Sequence, residues 1–121
     1  MEKRVKFSFE GDPTEYALEF DFNELADAEA VAGCDLLLAV RKWPQLSCQE
    51  MRGLLYALSK PAHPKVTLKD AGALLTHNLF VAMAGMRAAL LAAALLEEKE
   101  MEEGLADDEK RSSAPLKTDG E

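Results

Sequence analysis

Leu79-Phe80-Val81-Ala82-Met83-Ala84-Gly85-Met86-Arg87-Ala88-Ala89-Leu90-Leu91-Ala92-Ala93-Ala94-Leu95-Leu96 is the stretch on which the fold turns, because Arg87 is its only charge. Helical spacing runs through Leu75, Leu79, Ala82, Met86 and Leu90. Phe80, Met83 and Leu91 fall on a flank of that stripe, and Leu95 falls almost opposite Leu75. A surface helix should show a polar face, and this one shows none. Three readings follow: a membrane span, a core helix, or a helix whose far half packs on another chain. The stretch only just reaches spanning length, much of it is alanine, and Arg87 would sit near the bilayer centre, so the span is disfavoured.

Working upstream, Thr67-Leu68-Lys69-Asp70 starts this helix, with Asp70 at the positive end of the dipole. The spacing predicts one helix from about residue 68 that persists to about Glu103. Residues 68–100 as one helix would run ~50 Å at ~1.5 Å per residue. A body of about 100 residues is roughly 35 Å across. The helix therefore overshoots its own domain unless Gly85 breaks it, and an overshooting apolar helix needs a partner.

Ahead of it, Ser47-Cys48-Gln49-Glu50 is a capping box, followed by Met51, Leu54, Leu55 and Leu58 at helical spacing, which predicts a helix over about 48–59. Lys60-Pro61-Ala62-His63-Pro64 reads as a stiff connector. Leu36, Leu37, Leu38 and Val40 form a short helical segment that Trp43-Pro44 ends. Asn23 is placed to cap a helix over roughly 24–32, with Leu25, Ala28 and Ala32 inward and Gly33 stopping it. At the N-terminus Val5, Phe7 and Phe9 alternate with Lys6 and Ser8, and Tyr16, Leu18, Phe20 and Phe22 alternate with Ala17, Glu19 and Asp21. Glu10-Gly11-Asp12-Pro13 supplies a turn between them. The expected architecture is α+β, mainly α: an N-terminal β-hairpin followed by a small bundle of about four helices, the last one long. One domain spans residues 1–103, and 104–121 is an acidic, disordered tail.

Charge separates those two parts. The chain carries −8 overall, of which residues 97–121 contribute −6 and residues 1–96 only −2. No basic stripe appears, so nucleic-acid binding lacks electrostatic support. Met1-Glu2-Lys3-Arg4 leads into an alternating segment, not an apolar run, so no secretory signal is read. A reducing, cytoplasmic setting with Cys34 and Cys48 as free thiols is expected.

The sequence holds no phosphate-binding glycine loop, metalloprotease motif, CxxC or calcium-binding loop. Cys34, Cys48, His63 and His77 lack the short chelating pairs of zinc sites. Ser47 is explained by its cap, and acids such as Asp27, Glu29 and Asp35 read as a solvated helix surface. No catalytic residue, metal or cofactor is expected. Trp43, the sole tryptophan, reads as a helix-end core plug, though aromatic residues also anchor interfaces.

The order of elements carries a resemblance. A hairpin over Val5–Phe22 is followed by Leu25, Glu29 and Gly33. Next come Met51-Arg52-Gly53-Leu54-Leu55-Tyr56-Ala57-Leu58 and the helix opening Thr67-Leu68-Lys69-Asp70-Ala71-Gly72. Over roughly residues 3–95 the chain resembles the small tail assembly chaperones of long-tailed phages, particularly the gene-transfer-agent type sometimes labelled tail tube proteins. The resemblance implies a non-catalytic protein of tail morphogenesis that coats the apolar tape measure protein and recruits tail tube subunits. Self-association is expected too, and neither nucleic acid nor membrane is an expected partner. The contacts expected on the last helix are Phe80, Met83, Leu91 and Leu95, with Trp43 as a further anchor. Replacing Leu91 and Leu95 by Glu should then abolish association and leave the fold intact. A structural tail subunit and a small adaptor or antitoxin are the competing expectations.

Overall fold

Hydrophobic alternation at the N-terminus does form an antiparallel hairpin. In the computed structural model, which describes residues 4–9, 11 and 13–96, β1 (Val5–Phe7) pairs with β2 (Tyr16–Leu18), placing Val5 opposite Leu18 and Phe7 opposite Tyr16. Phe9 and Leu18 are buried. The rings of Phe7, Phe9 and Tyr16 cluster with centroids 5.6–5.7 Å apart. Gly11 takes a positive φ of 83° in the turn; its neighbours Glu10 and Asp12 lie outside the described residues. A two-stranded hairpin is marginal alone, and here it is pinned from below. The Glu19 amide donates to the Leu58 carbonyl at 2.9 Å, and the Ala17 amide donates to Nε2 of His63 at 3.1 Å.

Five helices follow: α1 (Phe22–Ala32), α2 (Leu36–Arg41), α3 (Cys48–Ser59), α4 (Leu68–His77) and α5 (Leu79–Ala92). The expected caps at Ser47 and Thr67 are reciprocal capping boxes, with Glu50 and Asp70 reaching back to the cap amides. Gly33 ends α1 in the left-handed conformation, φ 74°. The start of α1 differs from expectation. Its cap is Asp21, whose carboxylate accepts from the Glu24 amide, and Phe22 is the first helical residue, not the inward end of a strand. Helix rotation leaves Phe22 63% exposed.

The larger correction concerns the last helix. It is neither single nor long, and Gly85 does not break it. The chain turns at Asn78, which is extended (φ −160°, ψ 98°) and serves both flanking helices. Its amide closes α4 on the Leu74 carbonyl, and its side-chain oxygen caps α5 at the Val81 amide. The two helices bend by 118° there. At its far end α5 stops at Ala92, short of the expected Glu103. Ala94 adopts a left-handed φ of 63°; its amide reaches Leu91 and the Leu95 amide reaches back to Leu90, which is a Schellman closure. Gly85 sits in mid-helix where the Phe7 ring would lie 3.0 Å from a Cβ, so its role is close approach of α5 to the hairpin. Residues 97–103, over which the helix was expected to continue, and the acidic tail expected over 104–121 lie outside the described residues.

Folding back at Asn78 removes the overshoot, because both halves find cover within the domain. α3 is the central element and packs against α1, α2, α4, α5 and β2. Leu18, Leu25, Leu36, Leu54, Leu55, Leu58, Met86 and Leu90 are fully buried, each worth about 1.5–3 kcal/mol of transfer free energy. The fold is thus mainly helical with an N-terminal hairpin. No single helix among the described residues is long and apolar enough to cross a membrane; only α4 and α5 taken together reach that composition, across their bend.

Candidate protein-binding surface

The bend that buries the last apolar stretch also leaves something outside. α5 must start where α4 ends, so its first turn lies at a corner of the molecule. There Phe80 is 83% exposed and Leu79 41%. Beside them runs a groove of about 540 Å³ between α3 and α4. Met51, Leu75 and Leu79 give it apolar walls, and Cys48, Gln49, Arg52 and Thr76 line it further. Gly72 is what opens it: the methylene stem of Arg52 lies across Gly72, and a Cβ there would sit 3.5 Å from Arg52 Cδ. An exposed aromatic next to an apolar concavity is the arrangement expected of a binding surface.

The expected contact residues are not brought together. Phe80, Met83 and Leu91 share one side of α5, but Phe80 and Leu91 stand about 16 Å apart along the axis. Met83 is half-buried and packs against the core, as does Leu95. The Leu95 amide also closes the helix end on the Leu90 carbonyl. Leu91 is half-buried. Trp43 lies at the far end of α2, half-buried against the core, before a cis bond to Pro44. Its buried Nε1 has no acceptor among the described residues. Of the five, only Phe80 presents a mostly open side chain.

Met51, Arg52, Gly72, Leu75 and Leu79 were not singled out as contacts in the sequence. In the sequence Gly72, Leu75 and Leu79 recur at helical spacing, and a single continuous helix through them hides the corner that separates Leu79 from Leu75. A second set of exposed apolar residues, Phe22, Val31, Leu37 and Leu38, lies on α1 and α2. They lie outside the groove between α3 and α4, and scattered surface hydrophobics are ordinary.

Polar side chains near the groove are mostly engaged in holding the fold. Glu50 pairs with Lys42 at 2.9 Å. The Ser47 amide, followed by the Lys42 ammonium, holds the Glu50 carboxyl below its usual range. Glu29 accepts from the Leu36 and Leu37 amides and so caps α2 from α1. Gln49 donates to the Ala32 carbonyl at 2.7 Å. The Cys34 thiol is raised by burial and then by Glu50, Glu29 and Asp35. His63 is occupied by the hairpin amide, and His77 stands edge-on to Phe9 with centroids 4.6 Å apart. Among the described residues no group of three or more His, Cys, Asp or Glu side chains is arranged to hold a metal. No family model, no curated protein and no solved structure matches the chain.

Proposed function

We propose that this chain is a non-catalytic tail assembly chaperone of a phage or prophage. In this reading it acts in the host cytoplasm and holds apolar helical segments of the tape measure protein, tail tube subunits, or both, during tail morphogenesis. The observation that carries the reading is Phe80, open on the α4–α5 corner beside an apolar groove. The resemblance in element order supports the choice of client. A holdase needs exposed apolar surface on an otherwise self-sufficient fold, and the corner supplies it without drawing on the core.

The test is co-expression of the chain with helical fragments of a long-tailed phage tape measure protein, read by size-exclusion chromatography with light scattering. The wild type should co-elute with a fragment, and Phe80→Glu should elute alone with unchanged helicity. Purified particles should lack the protein. Its presence there at stoichiometric amounts would replace the chaperone reading by a structural tail subunit.

A further inference from the structure

Resting on that reading, we propose that the α3–α4 groove selects its client by charge: it seats a short amphipathic helix with two apolar side chains and a carboxylate that meets Arg52. Among the described residues Arg52 is the only charged one lining the groove. Its guanidinium has no ion pair or hydrogen bond among the described residues. Its stem lies against Gly72 within the groove lining, while Met51, Leu75 and Leu79 offer apolar walls. No acid among the described residues lines the groove. An acidic occupant is therefore complementary and a basic one is repelled.

Size decides against a second copy. A stable protein–protein interface needs about 800 Å² from each partner. An exposed aromatic offers about 150–250 Å², and Leu79 with the groove walls adds only a fraction more. The wall of α4 from Gly72 to Thr76 is about 6 Å long before the chain turns to Leu79. That length matches one turn of a docked helix, the spacing of two anchors four residues apart.

The probe is a fluorescein-labelled synthetic helical peptide of Ala, Gln and Leu, with two leucines four residues apart and either Glu or Lys beside them. Binding to the full chain is followed by anisotropy. The wild type should prefer the Glu peptide by about tenfold, and Arg52→Glu should invert that order. Thr76→Trp, on an exposed position lining the groove, should block both peptides. Equal binding of the two peptides, or an Arg52→Glu variant that behaves as wild type, overturns the proposal. So does a peptide-free dimer that Thr76→Trp dissociates, since the occupant would then be a second copy. Displacement of the Glu peptide on deleting nothing but adding the chain's own 97–121 as a free peptide supports the charge rule, because that segment is acidic with Met101 and Leu105 four apart. Client binding that is lost with Phe80→Glu but indifferent to Arg52→Glu and Thr76→Trp leaves the chaperone reading standing and removes this one.

Discussion

Replacing Gly53 by Ala should destabilise the protein, although alanine is the better helix former. Gly53 lies in mid-helix of α3, where alanine would contribute about 0.8–1.0 kcal/mol by propensity. Its added Cβ, however, would meet the Ala32 Cβ at 2.8 Å and Leu36 Cδ2 at 3.0 Å. Comfortable carbon contacts lie near 3.5–4.0 Å, so α1 and α3 must separate by roughly 1 Å. Neither neighbour yields easily. Ala32 is fixed through its carbonyl by Gln49, and Leu36 is fully buried. Overpacking of this kind costs about 1–3 kcal/mol, and because neither contact can relax the upper part of that range applies, which leaves a net loss of up to about 2 kcal/mol once propensity is subtracted. Urea denaturation followed by Trp43 fluorescence should show a lower midpoint with an unchanged slope. In the Gly53→Ala background, Ala32→Gly should recover part of the loss by removing the closer contact. A Gly53→Ala protein at least as stable as wild type would refute the packing described between α1 and α3.

Other expectations follow from single contacts. Ala94→Gly should stabilise the protein by about 1 kcal/mol, because Ala94 holds a left-handed φ that costs a non-glycine residue about that much; thermal melts check it. Glu50 is held below its ordinary value of 4.5, so its ionised form favours the folded state, and that contribution is full above 4.5 and lost as pH falls below it. Acid titration of stability should accordingly be shallower in Glu50→Gln than in wild type. Alkylation with iodoacetamide at neutral pH should reach exposed Cys48 first and Cys34 later, since burial and neighbouring carboxylates raise the Cys34 thiol; mass spectrometry of the labelled peptides reads the order. Phe80→Glu should leave the melting temperature nearly unchanged, since the ring has little to lose from burial.

Local chemistry made much of this fold readable. The capping boxes at Ser47 and Thr67 are complete within four residues each, so their outcome depends on nothing distant. The hairpin's alternation needed only a face to cover, which α5 supplies. Asn78 was harder. It is a good cap residue, but position 81 is Val, not an acid or amide, so no capping box marks the start of α5. Apolar spacing also runs through it unbroken, from Leu75 to Leu79. The bend is decided instead by α3 and the hairpin, on which Ala71 and then Ala82, Met86 and Leu90 all become buried. The same nonlocal choice set the surface. With a straight helix the excess apolar area would lie at Leu91 and Leu95, whereas the bend puts it at Leu79 and Phe80 and hands Leu95 to the helix end.

Backbone amide shifts on adding a helical tape measure fragment to the isotopically labelled protein would locate the binding surface without any substitution. The largest changes should fall on Cys48–Arg52 and Gly72–Val81, with α1 and α2 silent. Shifts centred on Phe22, Val31, Leu37 and Leu38 would contradict the assignment, and place the partner on the opposite set of exposed side chains.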